Sequence, residues 1–270
     1  AIALVEELIK NNNLSLFYIG RRFAQENDRA LSLEYREISG TKVRFLEITT
    51  GKLSRFLSYQ SILSLSKLPV GLLQSLIFIV RYKPKLVIAF GSYVALPVCI
   101  VAYFFGIPVI THEQTLRLGF SNRIISLFAK CICLTFPNTK FVPFWKNAVL
   151  TGLPLRKSII SPGKSNISQF GNIRLPIIFI SGGSQGSASI NALIYQTAGL
   201  LLGKFRLIHI CGESRNNYDY HRLSKLRLSL DKKLHSNYFL TPKMDYRLVG
   251  RVLSDAALVI SRAGANSLAE

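Results

Sequence analysis

The run LVIAFGSYVALPVCIVAYFFGIPVIT, residues 86–111, carries no charged side chain, and it limits the fold more than any other stretch of the chain. By length alone it could cross a bilayer as one helix. Its punctuation points elsewhere. Gly91 with Ser92, then Pro97, then Gly106 with Pro108, divide it into an apolar strand (LVIAF), a helix over residues 93–105 and a second strand (IPVIT). Buried parallel strands read as continuous apolar runs, so the pattern predicts a βαβ unit in place of a membrane span.

Similar units recur. AIALVEELIK, with Ile2, Val5, Leu8 and Ile9 at helical spacing, precedes the strand LSLFYIG; PIIFIS precedes a helix from about Ser187; FRLIHIC follows, and AALVIS precedes another helix. Strands alternating with helices imply the α/β class, with parallel sheets covered by helices on both faces. The segment TGLPLRKSIISPGKSNISQFGN, residues 151–172, is rich in Gly, Pro, Ser and Asn and reads as a hinge. It divides the chain into two Rossmann-like domains, 1–152 and 153–270, with a cleft expected between them; 270 residues at 49% hydrophobic supply apolar material for two cores. The first residues already lie in a helical period without a cap, and ANSLAE starts a helix and stops. The expectation is a fragment truncated at both ends.

Charge narrows the partner. Lys and Arg number 34 against 14 Asp and Glu, a formal charge of +20, and Glu113 is the only carboxylate between Glu47 and Glu213. Nucleic acid, a lipid headgroup surface or phosphorylated small molecules could answer such a surface, unless it serves solubility alone. No basic helix interleaved with aromatics and no nucleic-acid module is recognisable, which argues against nucleic acid. In residues 42–85, Lys42, Arg44, Lys52, Arg55, Lys67, Arg81, Lys83 and Lys85 bracket apolar stretches such as LPVGLLQSLIFIV. That mixture suits an interfacial contact with an anionic membrane, or else the apolar residues are the buried faces of helices. Cys99, Cys131, Cys133 and Cys211 show no CxxC spacing, and His209, His221 and His235 lack metal-site spacing. No metal and no cofactor are expected.

Four stretches can carry chemistry. SGGSQGSASIN, residues 181–191, follows a strand and opens a helix; Gly182, Gly183 and Gly186 let the backbone approach a diphosphate at a helix N-terminus, although a plain strand-to-helix turn would look alike. ISRAGANSLAE repeats the design and puts Glu270 where a carboxylate could accept ribose hydroxyls, or simply lie exposed on a helix. GLPLR places Arg156 at the hinge, within reach of a nucleotide diphosphate. THEQ ends a strand at the carboxyl edge of its sheet, where open α/β sheets bind ligands. Among so many cations Glu113 stays ionised, which suits it to orienting better than to donating a proton; a loop carboxylate capping the helix that begins near Gly119 is the other reading.

Taken together, FGSYVALPV, GIPVITHEQTLRLGFSNRIIS, VLTGLPLR, FISGGSQGSASIN and ISRAGANSLAE resemble the MurG family, glycosyltransferases that add N-acetylglucosamine to lipid I in peptidoglycan synthesis. The resemblance spans most of residues 86–270, and HEQ followed by GxxNR is its most specific part. It implies a GT-B architecture, a donor UDP-N-acetylglucosamine held mainly by the second domain, and a polyprenyl-diphosphate-linked acceptor on the first, at the cytoplasmic face of the inner membrane. By resemblance, Arg156 meets the nucleotide, the loop Gly182, Gly183, Ser184, Gln185 and Gly186 the diphosphate, and Ala265, Asn266, Ser267, Leu268, Ala269 and Glu270 the diphosphate and ribose. Met244 corresponds to the position whose backbone meets uracil, and Thr115 belongs to the donor side. Gly91, Tyr93, His112, Glu113, Gln114 and Asn122 line the acceptor side.

Three positions depart from the family pattern: Thr115 stands for an Asn, Leu153 for the Asn of GNPVR, and Ser92 for the second of two glycines. The family's first glycine loop, with the His proposed to assist deprotonation of the acceptor, is expected upstream of Ala1, and the Gln-bearing segment that reads the sugar beyond Glu270. No catalytic residue is therefore assigned within the chain, and the fragment itself is expected to be inactive. Two other readings stand beside this one: a related transferase acting on another lipid, and a noncatalytic partner that binds a nucleotide sugar or docks on a membrane.

Overall fold

A computed structural model describes residues 1–23, 31–50, 68–163, 170, 175–183 and 185–270. Ser184, Lys52, Arg55 and Lys67, and the hinge positions 164–169 and 171–172, lie outside the described residues. The chain forms two compact units, a first that takes in Ala1–Arg22 and Glu34–Pro154 and a second built on Leu155–Glu270.

In the first unit, helix α1 (Ile2–Leu8) leads to β1 (Phe17–Gly20), then α2 (Leu33–Ser39) and β2 (Arg44–Glu47). There follow α3 (Leu68–Tyr82), β3 (Val87–Ala89), α4 (Ala95–Phe104), β4 (Val109–Glu113), α5 (Phe120–Ser126), β5 (Cys131–Leu134) and β6 (Ala148–Leu150). The uncharged run is thus strand, helix and strand, with β3 parallel to β4, and no helix among the described residues is long and apolar enough to cross a membrane. Two parallel sheets result, β1-β2 and β3-β4-β5-β6. Leu96, Cys99 and Ala102 of α4 pack with Ala89, Val109 and Ile125 into one core, a helical stripe closed over two strands.

Helix α3 is built the other way round. Its buried positions are Gly71, Ser75 and Ile79, four apart, while Val70, Leu73, Ile77 and Val80 stay exposed. Gly71 is forced by proximity, since a Cβ there would lie 2.9 Å from the Thr49 carbonyl oxygen. Small residues bring the helix close to its neighbours and leave its aliphatic side chains outward. These apolar residues are therefore not a buried face.

The second unit continues with α6 (Lys157–Ile160), β7 (Ile177–Ser181), α7 (Ala188–Leu201), β8 (Arg206–Ile210), α8 (Ser214–Ser229), β9 (Tyr238–Thr241), α9 (Tyr246–Asp255), β10 (Ala256–Ser261) and α10 (Ala265–Ala269). Its sheet is parallel in the order β10-β7-β8-β9. Period two explains why β7 and β8 are buried on both faces. Ile178 and Ile180 meet Ile194 and Ala198 of α7, whereas Ile177 and Phe179 meet Val249 and Val252 of α9, so alternate residues feed two separate cores. Burial of one such side chain contributes about 1.5–3 kcal/mol.

The four cysteines are free: Cys99 and Cys211 are buried and Cys131 and Cys133 half-buried. Burial pushes the thiols of Cys99 and Cys211 up to about 12, so neither presents a thiolate near neutral pH.

Candidate functional site

In the first unit the motif residues form a single hydrogen-bonded knot at the carboxyl end of β4. The Glu113 carboxylate is buried and accepts from the backbone N–H of Thr115 (3.0 Å) and of Gly119 (2.8 Å) and from Asn122 Nδ2 (2.9 Å). The Thr115 hydroxyl stands 2.8 Å from Glu113 Oε1 and 2.8 Å from the Arg117 carbonyl oxygen, and its one proton serves either. Asn122 spends its second amide hydrogen on the His112 carbonyl (3.1 Å) and accepts from the Thr111 hydroxyl (2.7 Å). Gly119 and Asn122 share one purpose in this stretch: both are donors to the same carboxylate. With its acceptor directions filled, Glu113 organises the loop and the start of α5.

The knot also dictates Gly91. Its φ is +69°, and a Cβ there would lie 2.8 Å from Asn122 Nδ2, so no side chain fits. Ser92, next to it, holds a φ of +97°, strained for any residue but glycine. His112 places Nε2 2.9 Å from the Gly152 carbonyl, which makes Nε2 the protonated nitrogen; Nδ1 is buried and has no partner among the described residues. Tyr93 accepts a hydrogen bond from Arg21, a residue the motif reading overlooked, whose guanidinium also lies 5.8 Å from the Tyr93 ring centre. Gln114 is half-buried.

The second unit fixes its loops by backbone contact. A Cβ on Gly182 would sit 2.2 Å from the Ser187 nitrogen, one on Gly186 2.0 Å from the Cys211 carbonyl oxygen, and one on Gly212 2.3 Å from the Gly186 nitrogen. The loops after β7 and β8 therefore press on each other main chain to main chain. Gly212 escaped the sequence reading because its need arises only from this contact. A turn bond from Gly186 N–H to the Gly183 carbonyl (2.9 Å) shapes the loop, and the buried Gln185 amide oxygen accepts nothing from the described residues. Beneath it, Asn191 in the first turn of α7 donates to the Cys211 carbonyl (2.9 Å) and to Asp219 (3.0 Å), and its oxygen faces His209 Nε2 (3.0 Å). His209 Nδ1 meets the Tyr238 hydroxyl at 3.1 Å. Burial lowers the His209 pKa to about 3, so the ring is neutral and structural.

Two predicted residues of this unit, Arg156 and Glu270, come together through a third that sequence reasoning missed. The Arg156 guanidinium lies 4.2 Å from the centre of the Tyr246 ring, and the Tyr246 hydroxyl hydrogen-bonds Glu270. Arg156 is delivered by α6, which lies so close on α9 that a Cβ on Gly250 would be 1.9 Å from the Ser158 carbonyl oxygen. Arg262 is a second missed cation: its Nη2 would stand 3.1 Å from a Cβ on Gly183, at the glycine loop. Ala265, Asn266, Ser267, Leu268 and Ala269 form the short helix after Gly264, with Leu268 exposed. Met244 is half-buried and packs on the core that holds Phe179 and Val249.

Comparison with known proteins agrees with both halves. Residues 1–134 match the glycosyltransferase family 28 N-terminal domain and residues 177–270 its C-terminal domain. The UDP-N-acetylglucosamine–N-acetylmuramyl-(pentapeptide) pyrophosphoryl-undecaprenol N-acetylglucosamine transferase of Treponema denticola is 31% identical over the whole of this chain, which spans 70% of that protein. Among solved structures, MurG of Acinetobacter baumannii is similar with a TM-score of 0.59 at 24% identity, over 99% of this chain and 70% of its own. The UDP-GlcNAc 2-epimerase of Neisseria meningitidis, bound to UDP-GlcNAc, reaches 0.59 at 15% identity over 97% of this chain and 74% of its own. An epimerase and a transferase on one fold show that these two likenesses speak to architecture alone.

Proposed function

The chain belongs to glycosyltransferase family 28, in its MurG branch, and from that premise we propose that it is a hexosyltransferase moving N-acetylglucosamine from UDP-N-acetylglucosamine to the muramoyl sugar of lipid I, forming lipid II. The observation that supports this most directly is the grouping of Arg156, Tyr246 and Glu270 in the unit that also carries the glycine loop. A guanidinium, a ribose-accepting carboxylate and a side-chain-free loop are the parts a nucleoside diphosphate needs. On this reading residues 153–270 hold the donor and residues 1–152 the acceptor.

The reaction is an in-line displacement. The acceptor's C4 hydroxyl attacks the anomeric carbon and gives up its proton to a general base that the described residues do not assign; the bond to the diphosphate oxygen breaks with inversion, and the electron pair leaves with UDP. Charge growing on that oxygen is met by the N-terminal end of α7, which the glycine loop opens, and by Arg156 and Arg262. Glu113 acts by holding Thr115 and the loop, since its oxygens are already engaged. Titration calorimetry with UDP, UDP-N-acetylglucosamine and 2′,3′-dideoxyuridine diphosphate tests the donor half. Glu270→Gln is expected to weaken UDP about tenfold and the dideoxy compound hardly at all; a wild-type chain that binds no uridine nucleotide sinks the reading.

Peripheral attachment to an anionic membrane is part of the proposal. In the parallel sheet β3-β4-β5-β6 every loop entering a strand lies at one edge; these loops carry exposed Phe105, Leu127, Phe144 and Trp145 with exposed Lys83, Lys85 and Lys130, and exposed Phe104 ends the helix just before one of them. The outward aliphatic stripe of α3 adds to this surface. Aromatic rings and lysines without carboxylates suit the headgroup boundary. Cosedimentation with phosphatidylglycerol vesicles should fall in high salt and with Leu73→Asp; indifference to both overturns attachment.

A further inference from the structure

Cys131 and Cys133 alternate along β5 with Ile132 and Leu134, and period two sends the two pairs to opposite faces of the sheet. Ile132 and Leu134 enter a core with Leu118. The thiols lie on the other face, in two rows that run across the strands: Ile88, Ile110 and Cys131 in one, His112, Cys133 and Val149 in the next. Each row ends in an exposed side chain, Ile88 or Val149, and both cysteines are half-buried. Cys99 and Cys211, by contrast, are sealed inside cores. This face admits a small solute to a pair of adjacent thiols.

The two sulfurs sense each other. Burial, and after it the Cys131 thiol alongside, hold the Cys133 thiol above its usual range. Strand spacing decides what such a pair can do. Residues two apart on a parallel strand stand about 6.6 Å apart, whereas a disulfide needs its Cβ atoms within about 3.5–4.5 Å. Closing one would bend β5, which is laddered to β4 on one side and β6 on the other. Its end is also held, by the Thr135 N–H on the Glu113 carbonyl (3.0 Å). The pair therefore stays reduced. An ion between two thiolates, about 2.3 Å from each, spans about 4.6 Å when linear, a gap that rotation of the side chains alone reaches.

Softness and coordination number identify the ion. Thiolates select soft cations, and Zn²⁺ in a closed site asks for four ligands. Among the described residues no group of three or more His, Cys, Asp or Glu side chains is placed to hold a metal ion. We propose that Cys131 and Cys133 form a two-coordinate site for a soft monovalent cation, Cu(I), on the sheet face opposite α5. Each thiol gives up its proton as its sulfur bonds the ion, so one positive charge replaces two protons and no electron is transferred. The site is independent of the transferase reading.

Cu(I) titrated into the reduced 270-residue chain, in competition with the coloured chelator bicinchoninate, tests it. One ion per chain is expected, with two protons released. C131S and C133S should each weaken uptake at least tenfold, and C99A should leave it unchanged. Undiminished uptake by the C131S/C133S double variant, or none by wild type, overturns the site. X-ray absorption of the copper-loaded wild type should find two sulfur neighbours; a nitrogen neighbour, which His112 could supply from the same face, overturns two-coordination. Should the serine variants misfold, that spectrum of wild type decides alone. Excess Zn²⁺ should leave the copper in place, and displacement overturns the choice of ion. A disulfide between Cys131 and Cys133, found by peptide mass after air oxidation, overturns the permanently reduced pair.

Discussion

The loop after β4 in the first unit and the loop after β7 in the second are both tightly determined, by opposite means. The first is tied through side chains, with Glu113 and Asn122 turning their polar atoms inward. The second is held by glycines whose missing Cβ atoms admit the Cys211 carbonyl and the Ser187 nitrogen. Side-chain knots consume side-chain hydrogen-bonding capacity, whereas the glycine loop is shaped by main-chain approach, with the Gly186 N–H on the Gly183 carbonyl (2.9 Å) and the Gly183 N–H on the Ser181 hydroxyl (3.3 Å). The carboxylates follow suit. Glu113 is saturated by protein donors, and Glu270 meets the Tyr246 hydroxyl as its one protein donor among the described residues.

The hardest test of this contrast is Gly186→Ala. A methyl group 2.0 Å from a carbonyl oxygen, at a φ of +77°, should cost roughly 3–5 kcal/mol and abolish UDP binding by calorimetry. Glu113→Gln comes next. Turning an acceptor into a donor among three N–H groups should cost about 3 kcal/mol in urea denaturation, while UDP affinity holds. If UDP affinity falls instead, the two loops are not independent.

Acid separates the units further. His209 takes up a proton near pH 6.5 when unfolded but only near about 3 when folded, so its contribution is full above pH 6.5 and is lost as pH falls towards 3. Urea melts of the second unit should lose about 1.4 kcal/mol per pH unit over that window, and His209→Gln should flatten the slope.

Smaller effects probe single contacts. Tyr246→Phe keeps the ring beneath Arg156 and removes the hydroxyl at Glu270, for an expected change of about 1 kcal/mol in UDP affinity that vanishes with the dideoxy nucleotide. Ser92→Gly relieves a φ of +97° and should stabilise the first unit by roughly 1 kcal/mol in thermal melts.

What the amino-acid order determined by itself was local. Glycine and proline punctuation within residues 86–111 set strand, helix and strand, because turn chemistry and period act over a few residues. Continuous apolar strands made the parallel α/β class legible, and the spacing from HEQ to Gly119 and Asn122 marked a motif before its bonds were known. Only tertiary structure decided which glycines cannot change and which side chains meet. Gly212 matters because of Gly186, Gly250 because of Ser158, and Tyr246 because Arg156 and Glu270 converge on it from distant parts of the sequence. Helix α3 shows the same limit, since an apolar stripe reads alike inward or outward until packing by Gly71 and Ser75 turns it to the surface. Contact between remote segments is a property of the packed chain, and no local pattern encodes it.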